Sequence, residues 1–413
     1  MFSIPPLSAP LTPPTIPPPV SGREEGIDAL RALAALLVVG EHLTQQDYLP
    51  ISVQAFGSGR EGVLLFFVIS GYVIGRVNRR PAVPASFKDY WRRRLLRLCP
   101  LYLVAVAFSF AVGNVIGQPA SVASGFGHLV FLQNFEPYFG LGLAPLKANP
   151  ALWTLNCEMV FYALFLLVWR FTPKAGPLFA LCALPPLLAP WLPVGTHFLL
   201  SYAVGFTFWL SGLALAWMPP GENSQRSSFP VFGCLFALVA AYDAAPWSVL
   251  LDRLGIDQPQ PWVSFGDFIA LPYCVALVGG AAGLFTFPRR LRILCLLPGA
   301  AVLSAAALTG HDLSDQRWLG VTVYTLLAAI LLFVPTPSSV LRRLAPWGLV
   351  SYAVYLFHTP VLYLLQHLLG GPWGSLLLLP VILPLAWYLE TRFQPLFVAR
   401  LTSLRLRPHP SRP

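Results

Sequence analysis

The sequence predicts an all-α fold, a polytopic transmembrane helical bundle of about 10–12 spans with both termini cytoplasmic. Three observations carry this prediction. Of 413 residues, 56% are hydrophobic and only 11% are charged, where a soluble chain carries about 25% charged residues; the mean hydropathy is +0.65. Apolar stretches long enough to cross a bilayer recur along almost the whole chain. Basic residues collect in alternate connections between those stretches, as the positive-inside rule requires.

Residues 1–22 are rich in Pro, Ser and Thr and lack the apolar run of a signal peptide, so they read as a disordered tail. Candidate spans then follow at 27–46, 60–76, 99–117, 152–170, 177–193 and 197–218. Further spans follow at 229–247, 265–287, 293–309, 318–335, 347–368 and 373–397. The stretch 177–193 contains Pro185, Pro186, Pro190 and Pro193 and reads as broken or re-entrant. Segment 125–139 is aromatic and too short to cross, which places it at the interface. Residues 23–399 thus form one transmembrane domain, and 400–413 a basic cytoplasmic tail.

With the N-terminus in the cytoplasm, the inward connections hold about 21 of the 27 Lys and Arg residues, eight of them between Arg76 and Arg97. The outward ones hold Arg60, Lys147, Arg253 and Arg317. The formal net charge of +10 therefore reports orientation and gives no case for nucleic acid. The six cysteines form no CxxC pair and read as inert buried thiols. No HxxxH, HExxH or acidic loop offers a metal site.

Charge inside an apolar helix marks the first stretch that can carry chemistry. Arg31 and His42 are eleven residues apart, about 1,100° of rotation and about 16 Å of rise, so they share one face. An arginine so placed is costly to insert and belongs in a protein interior or aqueous cavity, with Asp28 in reach to pair with it. The bland alternative sets both groups at the two membrane boundaries.

Four further stretches stand out. In Gly62–Tyr72, Ser70 and Gly71 are small and admit a neighbouring helix. The run Trp91–Pro100, with Arg92, Arg93, Arg94 and Arg97, reads either as a topology and lipid-headgroup signal or as a phosphate clamp. In Trp153–Tyr162, Glu158 and Tyr162 lie on one face, where Glu158 either partners a histidine or hydroxyl or sits against the helix dipole. In Ser351–Pro360, Ser351, Tyr355 and His358 share a face, and Pro360 is expected to break the helix and free carbonyls. There, His358 is either functional or a structural histidine bonded to that break.

Taken together these stretches resemble the acyltransferase-3 family of integral membrane acyltransferases, which modify surface glycans, lipids and some antibiotics. The most specific parts are the Arg31–His42 helix, Phe66–Tyr72, Arg97–Tyr102, Trp153–Tyr162 and Ser351–His358. The chain departs from the family pattern at Thr154, usually serine, at Cys157, usually aliphatic, and at Glu390, which lacks the proline two residues on. The resemblance implies a stand-alone O-acyltransferase of the cytoplasmic (inner) membrane. It would use acyl-CoA, with acetyl-CoA the expected donor, as co-substrate, with no bound cofactor or metal. The acceptor would be a glycan or glycolipid hydroxyl at the outer face. His42 is expected to act as general base, with Glu158 or His358 as its partner. Glu41, about 100° away around the helix, is not expected to orient it. Arg31, Arg93, Arg94, Arg97, Ser70, Trp153, Tyr162 and Tyr355 are the expected donor- or substrate-binding residues. A transporter or flippase for a polar lipid or sugar is the main competing function, and the lack of an internal repeat counts against it.

Overall fold

A computed structural model describes residues 24–46, 49, 57–79, 83–135, 139–171, 177, 180, 184, 197–218, 229–246, 264–284, 286–310, 312–313 and 316–404. The N-terminal tail 1–22, most of 177–193 and the end of the C-terminal tail lie outside the described residues. Every other predicted span falls on a described helix, and no strand occurs among the described residues. The order is α1 (Glu25–Thr44), α2 (Gly59–Val77), α3 (Pro84–Val115), the short α4 (Val122–Leu129), α5 (Trp153–Phe171) and α6 (His197–Trp217). Then come α7 (Val231–Asp243), α8 (Leu271–Ala281), α9 (Arg289–Leu308) and α10 (Gln316–Leu331). The chain closes with α11 (Ser338–Leu369), α12 (Gly371–Tyr388), a π-helical turn (Leu389–Phe393) and α13 (Gln394–Leu404).

Among the described residues six helical segments are long and apolar enough to cross a membrane. They correspond to α3, α5, α6, α9, α11 and the run from α12 through α13. The helices α7, α8 and α10 are shorter, and α1 and α2 carry more charge. That division follows from position. α1 is packed between α11 and α2, and its small and apolar side chains from Ile27 to Ala35 are mostly buried. The outer helices α9 and α12 instead expose Leu294, Leu297, Leu376 and Trp373. An apolar surface of this kind needs lipid around it. The chain is a multi-pass membrane protein.

Close helix crossings fix the centre. Gly71 on α2 and Gly212 on α6 face one another's backbones. A Cβ on Gly71 would strike the Trp209 carbonyl, and one on Gly212 the Val68 carbonyl. The small-residue contact expected at Ser70–Gly71 is thus an α2–α6 crossing. A second crossing brings Gly348 of α11 onto the backbone of Asp28, which sets α1 and α11 side by side and parallel. At the start of α1, Tyr72 Oη donates to Glu24 Oε2 at 2.6 Å and Arg76 pairs with Glu24 at 3.0 Å.

Pro360 does not break α11, contrary to the sequence-based expectation; the helix runs on to Leu369. Proline lacks the N–H that would bond the Leu356 carbonyl one turn back. That carbonyl accepts instead from Asn149 Nδ2 at 2.9 Å. Asn149 Oδ1 takes the Thr359 hydroxyl at 2.8 Å, and Nδ2 also reaches Ser109 Oγ at 2.9 Å. One buried asparagine, just ahead of α5, therefore closes the gap and ties α11 to α3.

Candidate active site

Helix α1 runs unbroken from Arg31 to His42, so the two remain about 16 Å apart along one helix. Around Arg31 the helices α1, α2, α3, α5 and α11 enclose a cavity of about 240 Å³. Arg31, Arg94, Arg97, Ser70, Glu158, Tyr162, Ser351 and Tyr355 all line it, together with Phe66 and Thr154. Most of the expected donor-binding residues, scattered over more than 300 positions, thus meet at one place. Two do not. Arg93 points to a separate surface groove that it shares with Arg76, Arg79 and Asp89. It sits next to Arg94 in a helix, and that step turns it about 100° off the cavity. Trp153 also lies off the cavity wall, its ring 5.9 Å from the guanidinium of Arg60.

The three cavity arginines differ. Arg97 is held by Glu390, with NH1 to Oε2 at 2.5 Å and NH2 to Oε1 at 3.3 Å, and by Gln394 Oε1 at 2.9 Å. Its guanidinium also lies 5.3 Å from the Tyr352 ring. Glu390 stands in the π-helical turn, an irregularity that frequently marks functional positions. Its role is not readable from its sequence neighbours, since the missing proline says nothing about an arginine 293 positions away. Arg94 lies over the rings of Tyr90 and Tyr162 at 5.8 and 6.0 Å, and its Nε is buried without a hydrogen-bond partner. Arg31 has neither hydrogen bond nor ion pair among the described residues. The expected Arg31–Asp28 pair is not closed to contact distance, and Asp28 acts on Arg31 only through its field. Among the described residues, two guanidinium groups of the cavity make no ion pair and one is committed to a carboxylate.

Glu158 faces this cavity from α5. Its Oε1 accepts Ser70 Oγ at 2.8 Å and Tyr162 Oη at 2.8 Å, and Trp209 Nε1 donates to Ser70 Oγ at 3.3 Å. Ser70 is thus a hydrogen-bonded bridge between α2, α5 and α6 as well as a packing residue. Glu158 is engaged here, among the cavity's hydroxyls. Of the two candidates for a partner of His42, the one in contact is His358.

The imidazoles of His42 and His358 lie 5.1 Å apart, centroid to centroid, tilted by 46°. His358 is fully buried, and its Nδ1 faces the carbonyls of Tyr355 at 2.8 Å and Val354 at 3.2 Å. Two carbonyl acceptors require a proton on Nδ1, which leaves Nε2 as the lone-pair nitrogen. Nε2 is buried and has no hydrogen-bond partner. Tyr355 joins the two halves of the site. Its ring lines the cavity, packs edge-on to Phe66 at 5.9 Å and lies 5.9 Å from His358. Its hydroxyl pairs with Thr154 Oγ1 at 2.8 Å. Threonine in place of the family's serine therefore keeps the hydroxyl that this contact uses.

Among the described residues no cluster of His, Cys, Asp or Glu is arranged to hold a metal ion. His128, given no role by its sequence position, is a structural histidine. Nδ1 lies 2.9 Å from the Ser124 carbonyl and Nε2 accepts from Leu146 N at 3.4 Å, so the ring is used on both sides in its neutral form.

Comparison with known proteins identifies the family. The family model for the acyltransferase domain of the acyltransferase-3 family matches residues 24–391. Acyltransferase MdmB of Streptomyces mycarofaciens is 26% identical over 381 residues, covering 86% of this chain and 84% of its own length. A putative acetyltransferase, ORF330 of Acidianus two-tailed virus, is 23% identical and covers 83% of this chain and 84% of its own. O-acetyltransferase OatA of Staphylococcus aureus is 30% identical over 159 residues, covering 35% of this chain and 24% of its own. No solved structure matches. The family match spans every helix that builds the cavity and both histidines, and the chain belongs to the acyltransferase-3 family of membrane acyltransferases.

Proposed function

We propose that the protein moves an acyl group, acetyl in the first instance, from cytoplasmic acyl-CoA to a hydroxyl of a glycan or glycolipid at the outer face of the inner membrane. The observation that carries this reading is Arg31. Among the described residues its guanidinium makes no hydrogen bond or ion pair at contact distance, and it lines a cavity whose far wall, Tyr355, lies 5.9 Å from the ring of His358. A free guanidinium inside a membrane bundle is costly unless an anion meets it. The planar fork of arginine binds two phosphate oxygens at once. Arg31 and Arg94 then hold the donor's phosphates, while Arg97, fixed by Glu390, shapes the cavity mouth. A pantetheine arm directed along α1 covers the about 16 Å from Arg31 to His42.

At that end His42 takes the proton from the acceptor hydroxyl as its oxygen attacks the thioester carbonyl. The tetrahedral intermediate collapses to the ester, and CoA leaves as the thiolate. Thiolate is a good leaving group, so no strong general acid is required. His358 Nε2 is unpartnered in the structure, and a small approach of the two rings, 5.1 Å apart, lets its lone pair accept the N–H of His42 and turn the other His42 nitrogen toward the hydroxyl. Base catalysis of this kind supplies about 10²–10⁴-fold.

Incubation of purified protein with radiolabelled acetyl-CoA tests the reading. An acyltransferase cleaves the thioester and moves the label to acceptor or water. A transporter leaves the thioester whole, and that result would overturn the proposal.

A further inference from the structure

Helices α11 and α12 form an antiparallel pair joined at Gly370, with much of α12 on the outside of the bundle. A groove of about 810 Å³ runs along this pair, larger than the arginine-lined cavity and separate from it. Trp347 of α11 lines one side. On α12, Leu379 and Leu383 line one end, Trp387 follows, and Arg392 lies at the other end. Pro380 and Pro384, one turn apart, keep that face of α12 low between bulkier neighbours. Trp347, Leu379 and Trp387 are all exposed, so the groove opens to the lipid side of the protein.

The groove is layered along the two helices. Trp347 and Trp387 meet edge to face at 6.1 Å, which fixes the register of α11 against α12. One turn before Trp347 stands Arg343, and five residues after Trp387 stands Arg392. Because the helices are antiparallel, both arginines lie toward the same end. Both are exposed, and neither makes an ion pair among the described residues. That end is strongly basic. From residue 338 to 413 the chain holds seven arginines and one carboxylate, Glu390, and Glu390 is already bound to Arg97. In the other direction the groove is apolar as far as Leu379, twelve residues before Thr391. That is about 18 Å of helix, close to the depth of one leaflet of hydrocarbon, about 15 Å.

We propose that this groove binds one anionic phospholipid from the leaflet at the basic end of the bundle. The phosphate meets Arg392 and Arg343, and one acyl chain runs along Leu383 to Leu379. Between them the ester oxygens lie beside the two indoles, whose N–H donors and apolar rings suit that depth. A soluble phosphate would leave the long apolar part of the groove uncovered. A second copy of the chain, packed face to face, would set the same unpaired arginines against each other. Arg392 also belongs to the π-helical turn that carries Glu390. A bound headgroup therefore steadies the carboxylate that holds Arg97 in the arginine-lined cavity. The site does not depend on which reaction the protein performs.

Native mass spectrometry of the full chain, delipidated in detergent, tests this by titration. The probes are dioleoylphosphatidylglycerol, dioleoylphosphatidylcholine and glycerol 3-phosphate, and the reading is the affinity for the first molecule bound. One arginine at an anionic headgroup is worth about fivefold. Phosphatidylglycerol should therefore bind at least about fivefold tighter than phosphatidylcholine, and Arg392→Gln should lose about fivefold for phosphatidylglycerol alone. Leu379→Trp, which fills the apolar end, should weaken both lipids, and glycerol 3-phosphate should leave no adduct. Equal binding of the two lipids overturns the site, as does a phosphatidylglycerol affinity that Arg392→Gln leaves unchanged. Glycerol 3-phosphate bound as tightly as phosphatidylglycerol overturns it too, and so does a dimer that Leu379→Trp breaks. Phosphatidylglycerol should also raise the melting temperature by about 3 °C more than phosphatidylcholine does in the wild type, and not in Arg392→Gln. The same rise in both proteins contradicts the link from the headgroup to the turn of Glu390.

Discussion

The ring of His42 on α1 stands 5.1 Å from the ring of His358 on α11, and the Nδ1 of His358 is spent on its own helix's carbonyls. This relationship gives the two histidines unequal work. His358 is fully buried and offers only its lone-pair Nε2, whereas His42 is half-buried, so the proton transfer with substrate is assigned to His42. Asn at 358 keeps a donor for the backbone but loses the distal lone pair. His358→Asn should therefore lower kcat about tenfold and leave the KM for acyl-CoA unchanged, measured by thiol release. A shift in donor KM instead would place His358 in the donor cavity.

Arg31 and Arg97 should separate in the opposite way. Arg31→Lys keeps the charge and loses the fork, so donor KM is expected to rise about tenfold with kcat little changed. Unchanged donor affinity would rule out bidentate phosphate contact. Arg97 acts through Glu390, and Glu390→Gln replaces an ion pair by a hydrogen bond from the guanidinium to an uncharged amide. Such hydrogen bonds contribute about 1.5–3 kcal/mol, and because Arg97 is partly exposed the low end is expected. The check is the melting temperature in detergent, with the Arg97→Gln, Glu390→Gln double variant closing the cycle.

Asn149 offers a test of the fold around the site. Asn149→Ala leaves the Leu356 carbonyl and the Thr359 hydroxyl without their partner, at about 1–3 kcal/mol for each buried group. Pro360→Ala restores an N–H that can bond Leu356 along the helix. The second substitution should recover part of the stability lost in the first. Strict additivity of the two would contradict the account of the proline gap.

Acid should loosen the α4 region through His128, which lies outside the spanning segments. Burial holds its imidazole below the ordinary histidine pKa. A depressed folded-state pKa means that its contribution is complete above the unfolded value of about 6.5 and is lost as pH falls below it. Melting temperature should therefore drop between about pH 6.5 and 5, and His128→Asn should flatten that part of the profile. An identical profile in the variant would assign the acid sensitivity elsewhere.

What was legible in the sequence is what local geometry determines. The Arg31–His42 spacing needs only the helix repeat, and Ser351, Tyr355 and His358 share a face for the same reason. Apolar length placed the spans. The partners were not legible, because they come from distant parts of the chain. Glu390 meets Arg97 across 293 positions, and Asn149 meets Leu356 across 207. Pro360 was misread because proline's effect depends on whether a neighbour supplies the missing donor, and that neighbour belongs to another segment. Arg93 and Arg94 look equivalent in a basic run, yet one helical step directs them to different cavities.

The central claim is that His42 is the base, standing about 16 Å along α1 from the arginine-lined cavity proposed to hold the donor. Thiol release from acetyl-CoA by purified wild-type protein and by His42→Ala, at equal folded protein and saturating donor, tests it most directly. The account predicts turnover by the wild type and a loss of at least about 100-fold in the variant. A variant that releases thiol at the wild-type rate would contradict it.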